Sequence, residues 1–236
     1  MLRARGDETL IASWEAYADG ATDACVRRLP GVVVAVFPEG PERGVYNNAI
    51  LEPGADARAV DAMEAAYAGA GVTAYAAWVR PDDTAMRIEL EARGYVVDTT
   101  TRAMGMRLTD VGGAASVVDA EPVDWAEYLR VSELPPDLLR DADHARFHVL
   151  VARLEGEPVA AGLAFDRDGD CGIYNVGTQE PFRRRGLATA LTVRMLEDAA
   201  ARGCDSASLQ STAMAERVYA AVGFRDLGGI VEYVPA

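Results

Sequence analysis

Residues 178–195, TQEPFRRRGLATALTVRM, place three arginines and a glycine directly before an apolar run with helical spacing. The apolar positions repeat every four residues: Leu187, Leu191, Met195 and Ala199. Together with Gly203 as a C-terminal stop, this spacing predicts a helix over about 186–202. A helix start presents unpaired backbone N–H groups and the positive end of the helix dipole. Gly186 permits close approach, so the segment is typical of a pyrophosphate-binding turn.

Two common nucleotide motifs are excluded at this turn. The pattern is not GxxxxGK[ST], since the chain contains no lysine, and it is not GxGxxG. A nucleotide hydrolase and a dinucleotide dehydrogenase are therefore poorly supported.

The composition narrows the functional classes. The chain has 236 residues and a net charge of −14, which disfavours nucleic acid as a partner. Such a charge is compatible with cationic small molecules or amines, and equally with solubility alone. No stretch is typical of a membrane span or a signal peptide. Three widely spaced cysteines suit a reducing cytoplasm, and with only two histidines no metal site is expected.

The sequence of the C-terminal half predicts the order β-β-β-α-β-α-β, preceded by a helix at about 123–131. Alternating apolar residues and turn signals define the strands, and four-residue spacing defines the helices. The predicted elements are strands at 147–154, 159–166 and 171–178, a helix at 186–202, a strand at 206–210, a helix at about 213–222 and a strand at 228–234.

The two halves of the chain resemble each other. VYNNAILEP (45–53) aligns with IYNVGTQEP (173–181), and each leads into an alanine-rich run that ends at a glycine. The first copy is four residues shorter between Glu-Pro and that glycine, and it lacks the arginine-glycine segment. Leu90 stands in the first copy where Tyr219 stands in the second. With a Gly-rich linker at 108–121, the sequence predicts two α/β units.

The run from Arg183 to Ala188 resembles the Q/R-x-x-G-x-G/A signature of the GNAT superfamily of N-acetyltransferases. Tyr219-x-x-x-Gly223-Phe224 follows at the family's usual distance. The resemblance covers about 150–236 well and 45–107 as a degenerate copy. It implies two tandem GNAT-like domains, each a central mixed sheet flanked by helices: a degenerate domain at 1–110 and a catalytic, acetyl-CoA-binding domain at 115–236.

The resemblance also implies roles for individual residues. Backbone groups from Val176 to Thr178 would pair with the pantetheine arm of acetyl-CoA, and Tyr219 would protonate the departing thiolate. Thr212 stands where the family often has asparagine, which leaves its role open. The expected coenzyme-binding residues are Val176, Gly177, Thr178, Arg183, Arg184, Arg185, Gly186, Leu187, Ala188, Thr189 and Thr212.

The expected activity is transfer of an acetyl group from acetyl-CoA to a primary amine, with a small cationic molecule favoured as acceptor. Acetylation of a protein N-terminus and non-catalytic sensing of acyl-CoA are the alternatives. The chain is expected to be cytoplasmic and either a monomer or a homodimer. The general base stays open among Glu133, Asp137, Asp141, Asp143, His144 and Glu216.

Overall fold

The computed structural model describes residues 1–39, 46–112, 119–136 and 138–236, and it contains two compact units. The C-terminal unit comprises Met1–Leu10 and Ala103–Leu227, and the N-terminal unit comprises Ile11–Arg102 and Gly228–Ala236. The units are therefore not two contiguous segments, because each recruits a short piece from the opposite end of the chain. The predicted domains, 1–110 and 115–236, are contiguous segments and do not contain these exchanged pieces.

The fold is mixed α/β, as predicted. Three elements contribute residues to both units: helix α1 (Leu2–Ala18) and strands β5 (Tyr95–Arg107) and β11 (Arg225–Pro235). The N-terminal unit has the strand order β1-β2-β3-β4-β11-β5. Its other elements are β1 (Cys25–Leu29), β2 (Val32–Val36), β3 (Asn48–Leu51), α2 (Ala57–Gly69), β4 (Ala76–Val79) and α3 (Thr84–Ala92).

The C-terminal unit has the strand order β11-β5-β10-β9-β8-β7-β6. Its elements are β6 (Asp119–Pro122), α4 (Trp125–Val131), β7 (Phe147–Leu154), β8 (Glu157–Arg167), β9 (Asp170–Thr178), α5 (Leu187–Ala201), β10 (Ser206–Thr212) and α6 (Glu216–Val222). The elements predicted for this half are confirmed, with ends that differ by up to three residues. Residues 113–118 of the predicted linker lie outside the described residues.

Helix α5 forms for the reason that its sequence indicates. Its four-residue apolar repeat is buried, with Leu191 and Ala199 fully enclosed in the core of the C-terminal unit. The helix ends in a Schellman motif: Gly203 has a φ of 96°, Cys204 N–H donates to Ala199 O, and Gly203 N–H donates to Ala200 O. The predicted glycine stop is confirmed.

The same order of elements occurs twice along the chain. β3-α2-β4-α3-β5 repeats the order β9-α5-β10-α6-β11. Helix α2 also ends in a Schellman motif, in which Gly71 has a φ of 70° and Val72 N–H donates to Tyr67 O. The glycine-terminated helices that align in the sequence therefore end in the same backbone structure.

We expect Leu191→Ala to lower the free energy of unfolding by about 2–5 kcal/mol, because it leaves a cavity under α5. Leu191 is 0% exposed within a cluster that also holds Leu187 and Met195. Urea denaturation checks this value. Glu197→Ala, on the exposed side of the same helix, is the control and should change stability by less than about 0.5 kcal/mol. Equal losses in both variants would contradict the assigned orientation of α5.

Candidate active site

Strands β9 and β10 diverge in the middle of the C-terminal sheet. They pair in parallel at Asp170 with Ser206, Cys171 with Ala207 and Gly172 with Ser208. Within the described strands, residues 173–178 of β9 and 209–212 of β10 extend beyond the last of these pairs. This divergence leaves an open gap between two strand edges, where backbone N–H and C=O groups are available to a ligand.

A β-bulge lies in β9 beside this gap. On β8, only Gly162 stands between the residues that pair with Gly177 and Tyr174, whereas Asn175 and Val176 stand between them on β9. Asn175 has a φ of 50°, a left-handed conformation that asparagine tolerates better than most residues. A bulge bends its strand and increases the local twist, which carries β9 away from β10.

Gly162 lies opposite the bulge at a tightly packed position, where a side chain would require its neighbours to shift. A Cβ at this position would lie 2.9 Å from Met195 Sδ and 3.3 Å from Val176 Cγ2. Helix α5 and the bulge therefore both pack directly against the backbone of β8.

The peptide groups of Thr178 face the gap. Gln179 N–H donates to Val159 O, so the N–H group of Gln179 points towards β8. Because neighbouring residues in a regular strand direct their peptide groups to opposite sides, that of Thr178 points away from β8. Arg183 Nε donates to Thr178 O over 3.1 Å, which agrees with this orientation. The Thr178 hydroxyl is enclosed and has no hydrogen-bond partner among the described residues.

The turn between β9 and α5 presents its arginines to solvent. Arg184 has a φ of 62° and Gly186 a φ of 79°, and no side chain caps the first N–H groups of α5. A Cβ built on Gly186 would meet no atom within 4 Å. The helix start is thus open, with its N–H groups and dipole free to bind an anion.

The three arginines differ in their partners. Arg183 is held by Thr178 O, and Arg185 lies with its guanidinium 5.4 Å from the centre of the Phe182 ring. Arg184 is exposed, and its side chain has no partner among the described residues. Leu187 is buried in the core, so this residue can contribute only its backbone to a ligand.

Tyr219 lies on α6, which packs against α5 and β10, the elements that border the gap. Its side chain is 9% exposed and makes an edge-to-face contact with Phe224 at 5.9 Å. Burial raises the pKa of the Tyr219 phenol above its ordinary value of 10. No described residue forms a hydrogen bond with its hydroxyl. The phenol is thus neutral at physiological pH and able to donate a proton.

The other residues considered as coenzyme contacts or as the general base lie on several elements. Thr212 is exposed at the end of β10, and Glu133, Asp141 and Asp143 are exposed in the stretch after α4. Glu216 is half-buried at the start of α6, and Asp137 lies outside the described residues. His144 stacks on Trp125 at 4.7 Å, and its Nε2 lies 2.7 Å from Leu139 O, which gives this imidazole a structural role.

Three further polar groups of the C-terminal unit were not predicted from the sequence. These are the hydroxyls of Tyr128 and Ser132, which have no hydrogen-bond partner among the described residues, and the side chain of Asn175. An asparagine inside an otherwise apolar strand is the one sequence signal that could have indicated the bulge. The two hydroxyls carry no comparable signal, because they occupy ordinary helical positions.

The corresponding strands of the N-terminal unit are short and are paired over most of their length. β3 and β4 have four residues each, and Asn48 pairs with Ala76, Ala49 with Ala77 and Ile50 with Trp78.

The start of helix α2 is also closed. The Asp56 carboxylate accepts from Arg58 N–H and from the Arg58 guanidinium, and these hydrogen bonds lower the pKa of Asp56. A side-chain anion therefore occupies the position that is open at α5. Leu90, the counterpart of Tyr219, is fully buried.

Two further observations concern metal-ligating clusters and membrane-spanning helices. Among the described residues, no cluster of three or more His, Cys, Asp or Glu side chains is arranged to hold a metal ion. No helix within those residues has the length and apolar character needed to cross a membrane.

The comparisons with known proteins support an acyltransferase. Residues 117–224 match the model of the acetyltransferase (GNAT) family. No curated protein matches the sequence. The GNAT family uses acetyl-CoA as cosubstrate.

Solved structures with the same fold cover nearly the whole chain. A GCN5-related N-acetyltransferase from Kribbella flavida has a TM-score of 0.72 and 17% identity, over 97% of this chain and 94% of that one. One from Sphaerobacter thermophilus has a TM-score of 0.63 and 20% identity, over 86% and 80%. A tandem GNAT protein from the clavulanic acid biosynthesis pathway has a TM-score of 0.59 and 15% identity, over 92% and 86%.

We expect Gly186→Ala to destabilise the protein by about 1 kcal/mol, because alanine is strained at a φ of 79° even where space is available. Gly69→Ala, at the last residue of α2 and also without neighbours within 4 Å, has no positive φ and should be neutral or stabilising. Urea denaturation of both variants compares them. Stabilisation by Gly186→Ala would show that the turn does not hold the left-handed conformation in solution.

Proposed function

We propose that the C-terminal unit is a single-site N-acetyltransferase and that the N-terminal unit is a degenerate second copy. The observation that carries this proposal is the contrast between the two helix starts. The start of α5 is open and arginine-rich, whereas the start of α2 is capped by Asp56. The tandem GNAT protein among the structural neighbours supports the two-copy interpretation.

The coenzyme would bind along the diverging strands. The pantetheine arm would pair with the exposed backbone of residues 176–178, and the pyrophosphate would lie over the N–H groups from Arg184 to Thr189. Arg184 is best suited to contact the phosphate oxygens, because its side chain, unlike those of Arg183 and Arg185, has no hydrogen bond or ring contact among the described residues that must be broken first. The remaining predicted contacts, including the Thr212 hydroxyl, belong to the same proposal.

The reaction would proceed by direct attack. The neutral amine nitrogen bonds to the thioester carbonyl carbon, the C–S bond breaks, and the thiolate takes the phenolic proton of Tyr219. The proton lost by the amine passes to a base or to water, and Tyr219 is then reprotonated. At neutral pH most of an ordinary amine is protonated, and its deprotonation requires about 4 kcal/mol. The general base is not assigned to one residue.

Acetyl-CoA binding tests the coenzyme site. Calorimetric titration should give one site per chain, and Arg184→Ala should weaken that binding by about 1–3 kcal/mol through loss of charge-assisted hydrogen bonds. Arg58→Ala, at the start of the capped helix α2, is the matched control and should leave the affinity unchanged. Two sites per chain would contradict the degenerate copy, and no binding would overturn the proposed function.

Tyr219→Phe tests the acid. With a turned-over amine, we expect kcat to fall by about 100-fold while the affinity for acetyl-CoA is retained. Because burial raises the pKa of Tyr219 above 10, the phenol stays protonated at lower pH. Its ionisation should therefore cause no loss of kcat between pH 7 and 9. An unchanged kcat in the variant would assign another proton donor, and binding without turnover of any amine would favour an acyl-CoA sensor.

A further inference from the structure

A cavity lies beside the C-terminal half of helix α5, away from the gap between β9 and β10. Its volume is about 400 Å³, which is within the usual range of small-molecule sites. It is lined by Pro122 and Val123 at the end of β6, by residues 147–150 of β7, by Ala164 of β8 and by one side of α5 from Arg194 to Arg202. None of the residues described as lining it belongs to β9 or β10.

The cavity has an apolar floor and can be reached from solvent. Leu150 and Met195 line it and belong to the buried core of the C-terminal unit, so they offer a fixed apolar surface. Ala201, the last residue of α5, also lines the cavity and is exposed. An apolar ring or chain could therefore enter beside Ala201 and remove its surface from water, which favours binding.

The charged side chains around the cavity neutralise one another in pairs. Arg194 Nε donates to Asp198 Oδ1 over 2.9 Å. Arg202 donates from Nε and Nη2 to the two oxygens of Asp166, over 2.6 and 3.0 Å. Burial acts to raise the pKa of Asp166, but His148, whose Nε2 lies 3.5 Å from Asp166 Oδ2, and Arg202 outweigh this effect and lower it. An ionised ligand group would thus find no uncompensated opposite charge, and its loss of hydration would be unfavourable.

Hydrogen-bond donors nevertheless remain on both arginines that line the cavity. Arg194 uses Nε for Asp198 and Nη1 for Ala120 O, so its Nη2 has no partner among the described residues. Arg202 uses Nε and Nη2, and within the same part of the chain its Nη1 has none. Because a guanidinium group can only donate, the complementary ligand group is an acceptor. A carbonyl oxygen is such an acceptor and carries no net charge.

We propose that this cavity is a second ligand site, which binds a small uncharged molecule with an apolar ring or chain and one carbonyl group. The apolar part packs on Leu150 and Met195, and the carbonyl oxygen accepts from the free guanidinium N–H groups. The site is separate from the proposed coenzyme site, because the 15 residues of α5 span about 20 Å between Gly186 and Arg202. It therefore does not depend on the proposed function, and the two ligands should bind together.

The first experiment locates the site. Binding of 4-fluorobenzamide is measured from the ¹⁹F relaxation of the ligand in protein titrations. Ala201→Phe places a ring in the cavity and should weaken binding by at least about tenfold. Ala200→Phe is the matched control: Ala200 is also exposed on α5 but does not line the cavity, so its affinity should stay that of the natural chain. Both variants should keep the same unfolding midpoint in urea, which shows that the helix is intact.

The second experiment tests the charge of the ligand. 4-Fluorobenzamide, 4-fluorobenzoate and 4-fluorobenzylamine share one ring and differ in the charge of the attached group. The amide should bind at least about threefold more tightly than either ion. Asp198→Asn removes the carboxylate that neutralises Arg194, so it should raise the affinity for the benzoate relative to the amide by about tenfold.

Three results would overturn the proposal. The first is an equal affinity of Ala201→Phe and Ala200→Phe for the amide, since the probe would then bind elsewhere. The second is a preference for the benzoate or the benzylamine in the natural chain. The third is displacement of the amide by acetyl-CoA, which would place the probe in the gap between β9 and β10. Calorimetry with acetyl-CoA alone tests the proposed function separately, because that titration contains no second ligand.

Discussion

The parallel pairing between β9 and β10 ends at Gly172 and Ser208, and the rest of the candidate site depends on that end point. Beyond it the bulge at Asn175 and Val176 turns β9 aside, and Gly162 provides the space for this turn. A parallel pair that continued further would satisfy its own backbone groups and leave none for a ligand. In the N-terminal unit, β3 and β4 pair over three of their four residues, so neither strand carries an unpaired segment as long as that of β9.

The two helix starts illustrate how one residue type can change the use of a common backbone. Helices α5 and α2 follow corresponding strands and end in the same glycine motif, yet Gly186 leaves one start open while Asp56 closes the other. A carboxylate cap stabilises a helix by satisfying its first N–H groups, and an uncapped start forgoes that stability. An open start is therefore typical of a functional position, since its N–H groups remain available to an anion.

The sequence alone determined the elements and one part of the site. The four-residue apolar repeat of α5, its glycine stop and the alternation in β7 and β8 are local patterns, and local patterns fix local structure. The arginine-glycine turn was predictable for the same reason, because a helix start and its charges are adjacent in sequence. The position of Tyr219 on a helix was equally accessible.

Only the tertiary structure decided where strands separate and which residues meet. The divergence of β9 from β10 depends on a register between segments that are distant in sequence, and the register of a sheet is not encoded in either strand alone. The exchange of Met1–Leu10 and Gly228–Ala236 between the compact units is likewise a long-range choice. The chemistry of single residues was thus visible in the sequence, and their juxtaposition was not.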